Sequence, residues 1–403
     1  MKALVVYPNN VYETGMGENA RVMQILLALK EIGYVIDYYG YKNFWNNATF
    51  NSFAEQNSAG LIDKLFLFDW AKCNDIPPTA PRHRYIFKRI LRRLRMLVSR
   101  GAKRYLGDWT RSNVCEHFQK IVHMGCYDAV ILFYTYQANL LKTIDRAVKK
   151  IYFMEDSVFL QQYSFKNKDN ANMTIGGLLD EELERLSLFD EIFCISFDEK
   201  TMYEKFVERT IHFFPHIQST ATSKMTIGAL GRRWDVMFLG YNNEFNVEGL
   251  KWFLNEVYPK LNKKLRIVLV GSATKEISTK YENIDVIPFV PNLDEVYQNS
   301  KVSICPMFRG TGMKIKVVES MSRGLPVVCN ARGIDGLPDK TMCGCMVTND
   351  PSEFAEYIIL LLTDEEFYQE KSRQVFEYYK RVFNRDIYIK TLRRVLGEGA
   401  KGK

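Results

Sequence analysis

Short apolar runs alternate with stretches of helical spacing along most of the 403-residue chain. ALVVY, residues 3–7, predicts a strand, and from residue 18 apolar residues recur on one helical face until Gly33 ends the helix. YVIDYYG, YDAVILFY, KIYFM and EIFCIS predict further strands, separated by helical patterns. Strands that alternate with helices predict βαβ units and mostly parallel sheets.

The rhythm starts again after an unpatterned stretch, residues 216–233, which is typical of an interdomain linker. WDVMFLG, LRIVLVG, IDVIPFV and KVSICP predict the strands of a second sheet, and the first two of them end in Gly240 and Gly271. We therefore predict an α/β fold of two facing, doubly wound Rossmann-like domains with a cleft between them, over residues 1–215 and 234–383. A C-terminal helix, residues 384–403, is expected to pack back on the first domain.

Residues 42–115 interrupt the rhythm and are expected to form an insertion that carries helices. Its segment 82–104 holds ten Lys or Arg and no acid, with apolar residues on one helical face. This pattern predicts a basic amphipathic helix on an anionic membrane surface, with Arg89, Arg92, Arg93 and Arg95 towards the lipid. A helix packed on its own domain is the alternative. No nucleic-acid-binding motif supports a nucleic-acid partner.

Composition changes this picture little. The chain is 47% hydrophobic and 25% charged, as globular proteins are, and has no apolar run of the ~18–20 residues that span a bilayer. The N-terminal apolar stretch is too short for a secretory signal, so we expect a cytoplasmic protein, peripheral on the inner face of the cell membrane. The cysteines form no CxxC pair and the histidines no metal-ligand spacing. We expect buried, reduced thiols and no metal site.

The stretch PMFRGTGMKIKVVESMSRGLPVV, residues 306–328, carries the candidate chemistry. A strand should end near Pro306, and a helix should run from about Gly312 to Arg323 with Thr311 as its cap. Lysines at the start of a helix oppose its dipole unless an anion is bound there. Exposed backbone N–H groups with Arg309, Lys314 and Lys316 therefore predict a phosphate site, and Glu319 could accept hydrogen bonds from sugar hydroxyls. A surface helix with a Glu319–Arg323 pair is the alternative.

This stretch, with GIDGLP after it and DVMFLGYNNEFNVEGLKWFLNEVYPKL before it, resembles the donor segment of GT-B glycosyltransferases, family 4 type. The resemblance covers roughly residues 234–340 and continues weakly in SLFDEIFCISFDEKTMYEKF. It implies a retaining transferase that uses a nucleotide-diphosphate sugar as substrate and needs neither metal nor another cofactor. The acceptor is expected to be a glycan or a lipid-linked glycan, in polysaccharide biosynthesis.

The resemblance also implies roles for single residues. Lys314 and Glu319 would be catalytic, with Glu319 on the nucleotide ribose, and Glu155 and Asp156 could contact the acceptor or serve as a cap or salt bridge. The other donor-binding residues implied are Gly15, Gly17, Gly240, Gly271, Phe289, Val290, Arg309, Gly310, Thr311, Gly312, Met313, Ile315 and Lys316.

The chain departs from the family pattern at two places. Thr311 stands where many relatives carry an acid, and Tyr241 stands where many carry an arginine. Three alternatives stay open: a GT-B sugar-nucleotide epimerase, an inactive membrane-bound scaffold, and an NAD(P)-dependent oxidoreductase. GMGENA, residues 15–20, fits the dinucleotide fingerprint of the oxidoreductase, but it follows its strand too late for the turn which that fingerprint needs.

Overall fold

The structure is a computed structural model of the chain. It describes residues 1–13, 17–45, 53–70, 106–164, 174–217, 231–276 and 281–397. The chain divides into two compact units: Met1–Cys194 with Lys200–Phe213 and Ile389–Lys403, and Ile195–Glu199 with Phe214–Tyr388. No helix among the described residues combines the length and the apolar character that a bilayer span requires.

The first unit is built on a sheet of seven described strands, all parallel, in the order β3-β2-β1-β4-β5-β6-β7. The chain order reverses between β1 and β4, where Val5 lies opposite Tyr38 on one side and Ile131 on the other. The strands are β1 (Lys2–Val6), β2 (Val35–Tyr41), β3 (Lys64–Phe68), β4 (Ala129–Leu132), β5 (Lys149–Met154), β6 (Glu191–Cys194) and β7 (Thr210–Phe213).

Helices α1 (Gly17–Glu31), α2 (Ser112–Gly125), α3 (Val158–Ser164), α4 (Ile175–Leu186) and α5 (Phe197–Tyr203) connect these strands. Their apolar faces and the sheet form one core, in which Leu4, Val130 and Phe118 are completely buried. The C-terminal segment also contacts this unit: Tyr34 donates a hydrogen bond to the carbonyl oxygen of Leu396 over 2.9 Å, and Lys149 donates one to that of Val395.

One prediction for this unit is wrong in part. Residues 64–68, placed in a helical insertion, form strand β3 at the edge of the sheet, because their backbone pairs with β2 from Asp37 to Tyr41. The basic segment 82–104, with Arg89, Arg92, Arg93 and Arg95, lies outside the described residues. The proposed membrane surface therefore stays a prediction.

The second unit repeats the design with six described parallel strands in the order β10-β9-β8-β11-β12-β13. The order reverses between β8 and β11, so the α/β fold class with two doubly wound parallel sheets is confirmed. The strands are β8 (Trp234–Leu239), β9 (Ile267–Val270), β10 (Ile284–Ile287), β11 (Ser300–Cys305), β12 (Val327–Cys329) and β13 (Met346–Val347). The helices are α6 (Glu244–Trp252), α7 (Leu293–Gln298), α8 (Ile315–Ser322), α9 (Pro351–Thr363), α10 (Glu365–Val382) and α11 (Arg385–Leu392).

Candidate functional site

The candidate site lies within the second unit, at the carboxyl ends of β8, β9 and β11. Parallel α/β sheets bind ligands at this edge, at the point where the strand order reverses. Here that point lies between β8 and β11, so the turn after Leu239 and the loop after Cys305 are neighbours.

The turns after β8 and β9 are in close contact. Gly271 has φ of +101°, and a Cβ atom added to it would lie 2.2 Å from the carbonyl oxygen of Gly240. Only a residue without a side chain fits this left-handed, crowded position. Two predicted donor residues are thus brought together, and the edge of the sheet beside them is lined by backbone rather than by side chains.

The loop between β11 and α8 is held by two side chains. Gly310 and Gly312 have φ of +113° and +65°, and the Gly312 N–H donates to Glu199 Oε1 over 2.9 Å. The buried Lys314 donates through Nζ to the carbonyl oxygens of Thr311, at 3.0 Å, and Gly312, at 3.2 Å. The Gly312 N–H is therefore bonded within the protein, contrary to the expectation that the loop's N–H groups face a ligand.

Helix α8 begins at Ile315, with Lys314 as its N-cap, and ends at Ser322. The predicted start near Gly312 and the predicted cap Thr311 are wrong, because the left-handed backbone of Gly310 and Gly312 cannot continue into a helix. Gly324 follows the helix with φ of +64°, the left-handed conformation that commonly ends a helix. Because α8 starts at Ile315, Lys314 is its cap and Lys316 lies in its first turn, where an anion would bind.

Lys316 reaches across to the first turn of α6. Its Nζ donates to Asn246 Oδ1 over 2.6 Å and lies 5.0 Å from the centre of the Phe238 ring. Burial lowers the pKa of Lys316, and the nearby positive charge of Lys314 lowers it further, while Cys305 and Glu319 oppose the shift. The two lysine side chains thus lie close together at the carboxyl edge of the sheet.

Glu319 lies one turn further along α8 and is half-buried. The buried Tyr297 of α7 donates its hydroxyl hydrogen to Glu319 Oε2 over 2.7 Å. Burial, followed by the charge of Glu319, raises the pKa of Tyr297 well above its ordinary value. The carboxylate of Glu319 is therefore held in place by a phenol that stays neutral.

Arg323 contacts both Tyr297 and Glu319 and so helps to hold this pair in position. Its guanidinium lies 4.4 Å from the centre of the Tyr297 ring, pairs with Asp294 and donates to the backbone carbonyl of Glu319 over 2.9 Å. The sequence left open an ion pair between the side chains of Glu319 and Arg323. In the structure Arg323 instead pairs with Asp294 and bonds to the backbone of Glu319.

The other predicted donor residues of this unit are placed as follows. Arg309, in the loop after β11, pairs with two glutamates of α6, Glu248 at 2.9 Å and Glu244 at 3.9 Å, and its side chain is 47% exposed. Phe289, after β10, is 78% exposed, and the neighbouring Val290 packs on the core. Met313 is buried, whereas Thr311 and Ile315 are half-buried.

Sequence reasoning missed Glu199, Asn246 and Tyr297. Glu199 and Tyr297 stand in ordinary helical patterns, and nothing near them in the sequence indicates their partners in the 306–324 segment. A weak signal exists for Asn246, since NNEF before it is typical of a helix start, and Asn243 does accept a hydrogen bond from the Asn246 N–H over 2.8 Å.

The predicted residues of the first unit do not all lie within the described part. Gly15 lies outside the described residues, and Gly17 is the first residue of α1. Glu155 pairs with the buried Arg21 over 2.8 Å, the salt-bridge role that the sequence left open. Burial raises the pKa of Glu155 to about 8, although the charge of Arg21 acts in the opposite direction.

Comparison with known proteins shows which family the second unit resembles. Residues 233–364 match the family model "Glycosyl transferases group 1". An uncharacterised 44.6 kDa protein in the cps region of Klebsiella pneumoniae is 26% identical over 242 residues. That alignment spans 56% of each protein, so the chain covers little more than half of the curated relative it matches.

Two solved structures resemble the whole chain. Sucrose-phosphate synthase from Thermosynechococcus elongatus has a TM-score of 0.67 and 13% identity, with 98% of both chains covered. Anabaena HepE in complex with UDP has a TM-score of 0.64 and 12% identity, with 98% of this chain and 100% of that chain covered. At these identities the likeness shows the fold.

The fold is therefore that of the GT-B glycosyltransferases. The residues that match the glycosyltransferase group 1 model lie in the second unit, and Lys314, Lys316 and Glu319 are among them.

Proposed function

We propose that the protein transfers a sugar from a nucleotide-diphosphate sugar to a hydroxyl group of a glycan or lipid-linked glycan, with retention and without metal, as a family 4 enzyme. The carrying observation is the arrangement on α8. Two lysines stand at its first turn, and one turn later stands a carboxylate fixed by Tyr297. A diphosphate at the helix start and a ribose beside Glu319 would satisfy both ends of this arrangement.

The diphosphate would bind at the start of α8. Lys314 uses Nζ to hold the loop, and an ammonium group has three protons, so one more can point to a phosphate oxygen. Burial of Lys316 away from water lowers its pKa. The negative charge of a bound diphosphate would raise that pKa again. Gly240 and Gly271 would allow the phosphates to approach the backbone.

The nucleoside would lie along α8 towards β10. Glu319 accepts hydrogen bonds from the ribose hydroxyls, and the exposed ring of Phe289, with Val290 beside it, offers an apolar surface for the base. HepE was solved with UDP, so a UDP-sugar is the first donor to test.

The reaction breaks the bond between the anomeric carbon and the diphosphate oxygen. Negative charge grows on the leaving diphosphate, and fixed cations stabilise it, by about 3 kcal/mol per donor in comparable sites. The acceptor oxygen attacks the anomeric carbon on the same face, and its proton passes to the leaving phosphate. No protein nucleophile is then required. Thr311 would lie beside the transferred sugar, at the position where many relatives carry an acid.

A thermal-shift screen of UDP-, GDP-, ADP- and TDP-sugars tests this proposal. One of them should raise the melting temperature of the wild type and have little effect on Glu319→Ala. Glu366→Ala is the matched control, because Glu366 is an exposed glutamate on α10. The proposal fails if no nucleotide sugar stabilises the wild type. Sugar release from the donor without any transfer would instead favour the epimerase, and donor binding with neither release nor transfer would favour the scaffold.

The first unit is proposed to act at the inner face of the cell membrane through its basic segment 82–104. Wild-type protein should float with vesicles that contain anionic lipid and not with neutral vesicles. Reversal of charge at Arg92, Arg93 and Arg95 should abolish flotation, and unchanged flotation would contradict the proposal.

A further inference from the structure

The first unit has its own point of strand reversal, and two tyrosines meet there. Tyr7 follows β1 and Tyr134 follows β4, the neighbouring strands between which the order reverses. Their rings stack with centres 5.9 Å apart and planes 14° apart. The edge of a parallel sheet where ligands bind is thus lined by aromatic side chains rather than by glycines.

The stack continues away from Tyr7. Tyr134 stacks on Tyr136 at 6.3 Å, Tyr136 on Trp109 at 5.3 Å, and Trp109 on Phe44 at 5.3 Å. The planes of each pair lie within 28° of each other. We name Tyr7, Tyr134, Tyr136, Trp109 and Phe44 the aromatic row. Tyr7 is buried, whereas the other four residues are half-buried.

Polar groups border the aromatic row. Tyr134 donates to Glu18 over 2.6 Å, and the Gln162 amide lies 3.4 Å from the Tyr136 hydroxyl. Asp108, directly before Trp109, accepts a hydrogen bond from Asn139 over 3.2 Å. Carboxylate and amide groups, which can bond to hydroxyls, therefore lie along the border of the aromatic row.

This combination fits a sugar better than other ligands. A sugar ring has an apolar face of C–H groups that packs on aromatic rings, and a rim of hydroxyls that bonds to amides and carboxylates. The carboxylates Glu18 and Asp108 at the border disfavour a polyanion. A stack that only filled the core would not leave four of its five residues partly exposed.

We propose that the aromatic row binds sugar rings of a neutral glycan, which is the acceptor. Its description as the acceptor rests on the proposed function, whereas the binding of a glycan does not. Trp109 and Tyr136 are the main stacking residues, because they lie in the middle of the row.

Isothermal titration with maltohexaose, cellohexaose and chitohexaose tests the inference. At least one of them should bind the wild type with a millimolar or lower Kd. Trp109→Leu and Tyr136→Leu should each raise that Kd at least tenfold, whereas Trp109→Phe keeps a ring and should raise it less than threefold. Tyr281→Leu is the matched control, because Tyr281 is a 40% exposed aromatic residue that packs on Tyr258 in the second unit.

The inference is overturned if none of the three hexasaccharides binds the wild type, or if both leucine variants bind as the wild type does. Melting temperatures show whether each variant folds, and either leucine variant suffices if the other does not. A nucleotide-sugar thermal shift without hexasaccharide binding overturns this inference alone. Hexasaccharide binding without any nucleotide-sugar shift overturns the proposed function alone.

Discussion

The hydroxyl of Tyr297 lies 2.7 Å from the carboxylate of Glu319, and these two residues come from different helices, α7 and α8. The tyrosine is buried and the glutamate is half-buried, so the bond fixes the carboxylate where it is partly exposed. A carboxylate fixed before a ligand arrives loses little side-chain entropy on binding.

Replacement of Tyr297 by phenylalanine should weaken donor binding with little effect on folding. A hydrogen bond to a charged group contributes roughly 1.5–3 kcal/mol, and the lower value suits a half-exposed carboxylate, so donor KM should rise about tenfold. Steady-state kinetics with the donor found by thermal shift measures this effect. Tyr357→Phe is the control, because it removes the bond from Tyr357 to Glu353 outside the site. Equal effects of the two variants would contradict the assignment.

Replacement of Lys316 by methionine should lower kcat/KM roughly 100-fold, because it removes one fixed cation from the leaving diphosphate. Lys316→Arg should retain part of the activity, since the charge stays while the contact with Asn246 changes. Lys301→Met is the matched control. Lys301 is a lysine at the opposite, amino edge of the same sheet, 2.8 Å from Asp235. A loss of activity in Lys301→Met as large as in Lys316→Met would point to a structural cause.

Replacement of Gly271 by alanine should destabilise the protein more than replacement of Gly33. Both glycines have left-handed φ, +101° and +92°, but an added Cβ at Gly33 meets no atom within 4 Å. Gly33→Ala should therefore lower the free energy of unfolding by about 1 kcal/mol through backbone strain alone. Gly271→Ala adds the clash with Gly240 and should cost at least about 2 kcal/mol. Urea unfolding of both variants measures the difference, and equal values would show that the turn opens without cost.

The stability of the first unit should depend on pH through Glu155. Its pKa rises on folding from 4.5 to about 8, so between these values the folded state binds more protons than the unfolded state. Stability from this group is therefore fully present below pH 4.5 and is lost as pH rises to 8. Glu155→Gln should flatten the fall in melting temperature between pH 5.5 and pH 8. Glu208→Gln, at an exposed glutamate, should leave the pH dependence unchanged. A wild-type melting temperature that rises over this range would contradict the assignment.

The elements that follow local rules were predictable from the sequence. Apolar runs such as IVLV, residues 267–270, form buried parallel strands as expected, because a strand covered on both faces needs no polar alternation. The anion site at Lys314 and Lys316 was also predictable, because positive charge at the start of a helix is unfavourable unless an anion is bound there. The glycine turns were predictable because glycine is the residue that fits crowded, left-handed positions.

Contacts between distant parts of the chain were not predictable. Strand β3 has the sequence KLFLF in a region rich in polar residues, and its pairing with β2 decides its structure. The start of α8 moved three residues because two glycines adopt left-handed φ, which the letters alone do not show. Partners such as Asn246 of Lys316 lie 70 positions away in sequence.

The bond between Glu199 and Gly312 has a practical consequence for expression of the second unit alone. Segment Ile195–Glu199 is grouped with residues 214–388, and besides Glu199 it supplies Asp198, which accepts from the Gly336 N–H over 2.9 Å. Expression of residues 214–388 alone would delete both carboxylates and leave two loop amides without their acceptors. The second unit is discontinuous, and a fragment chosen by cutting the chain at the linker would lack the segment whose two carboxylates hold its glycine loops.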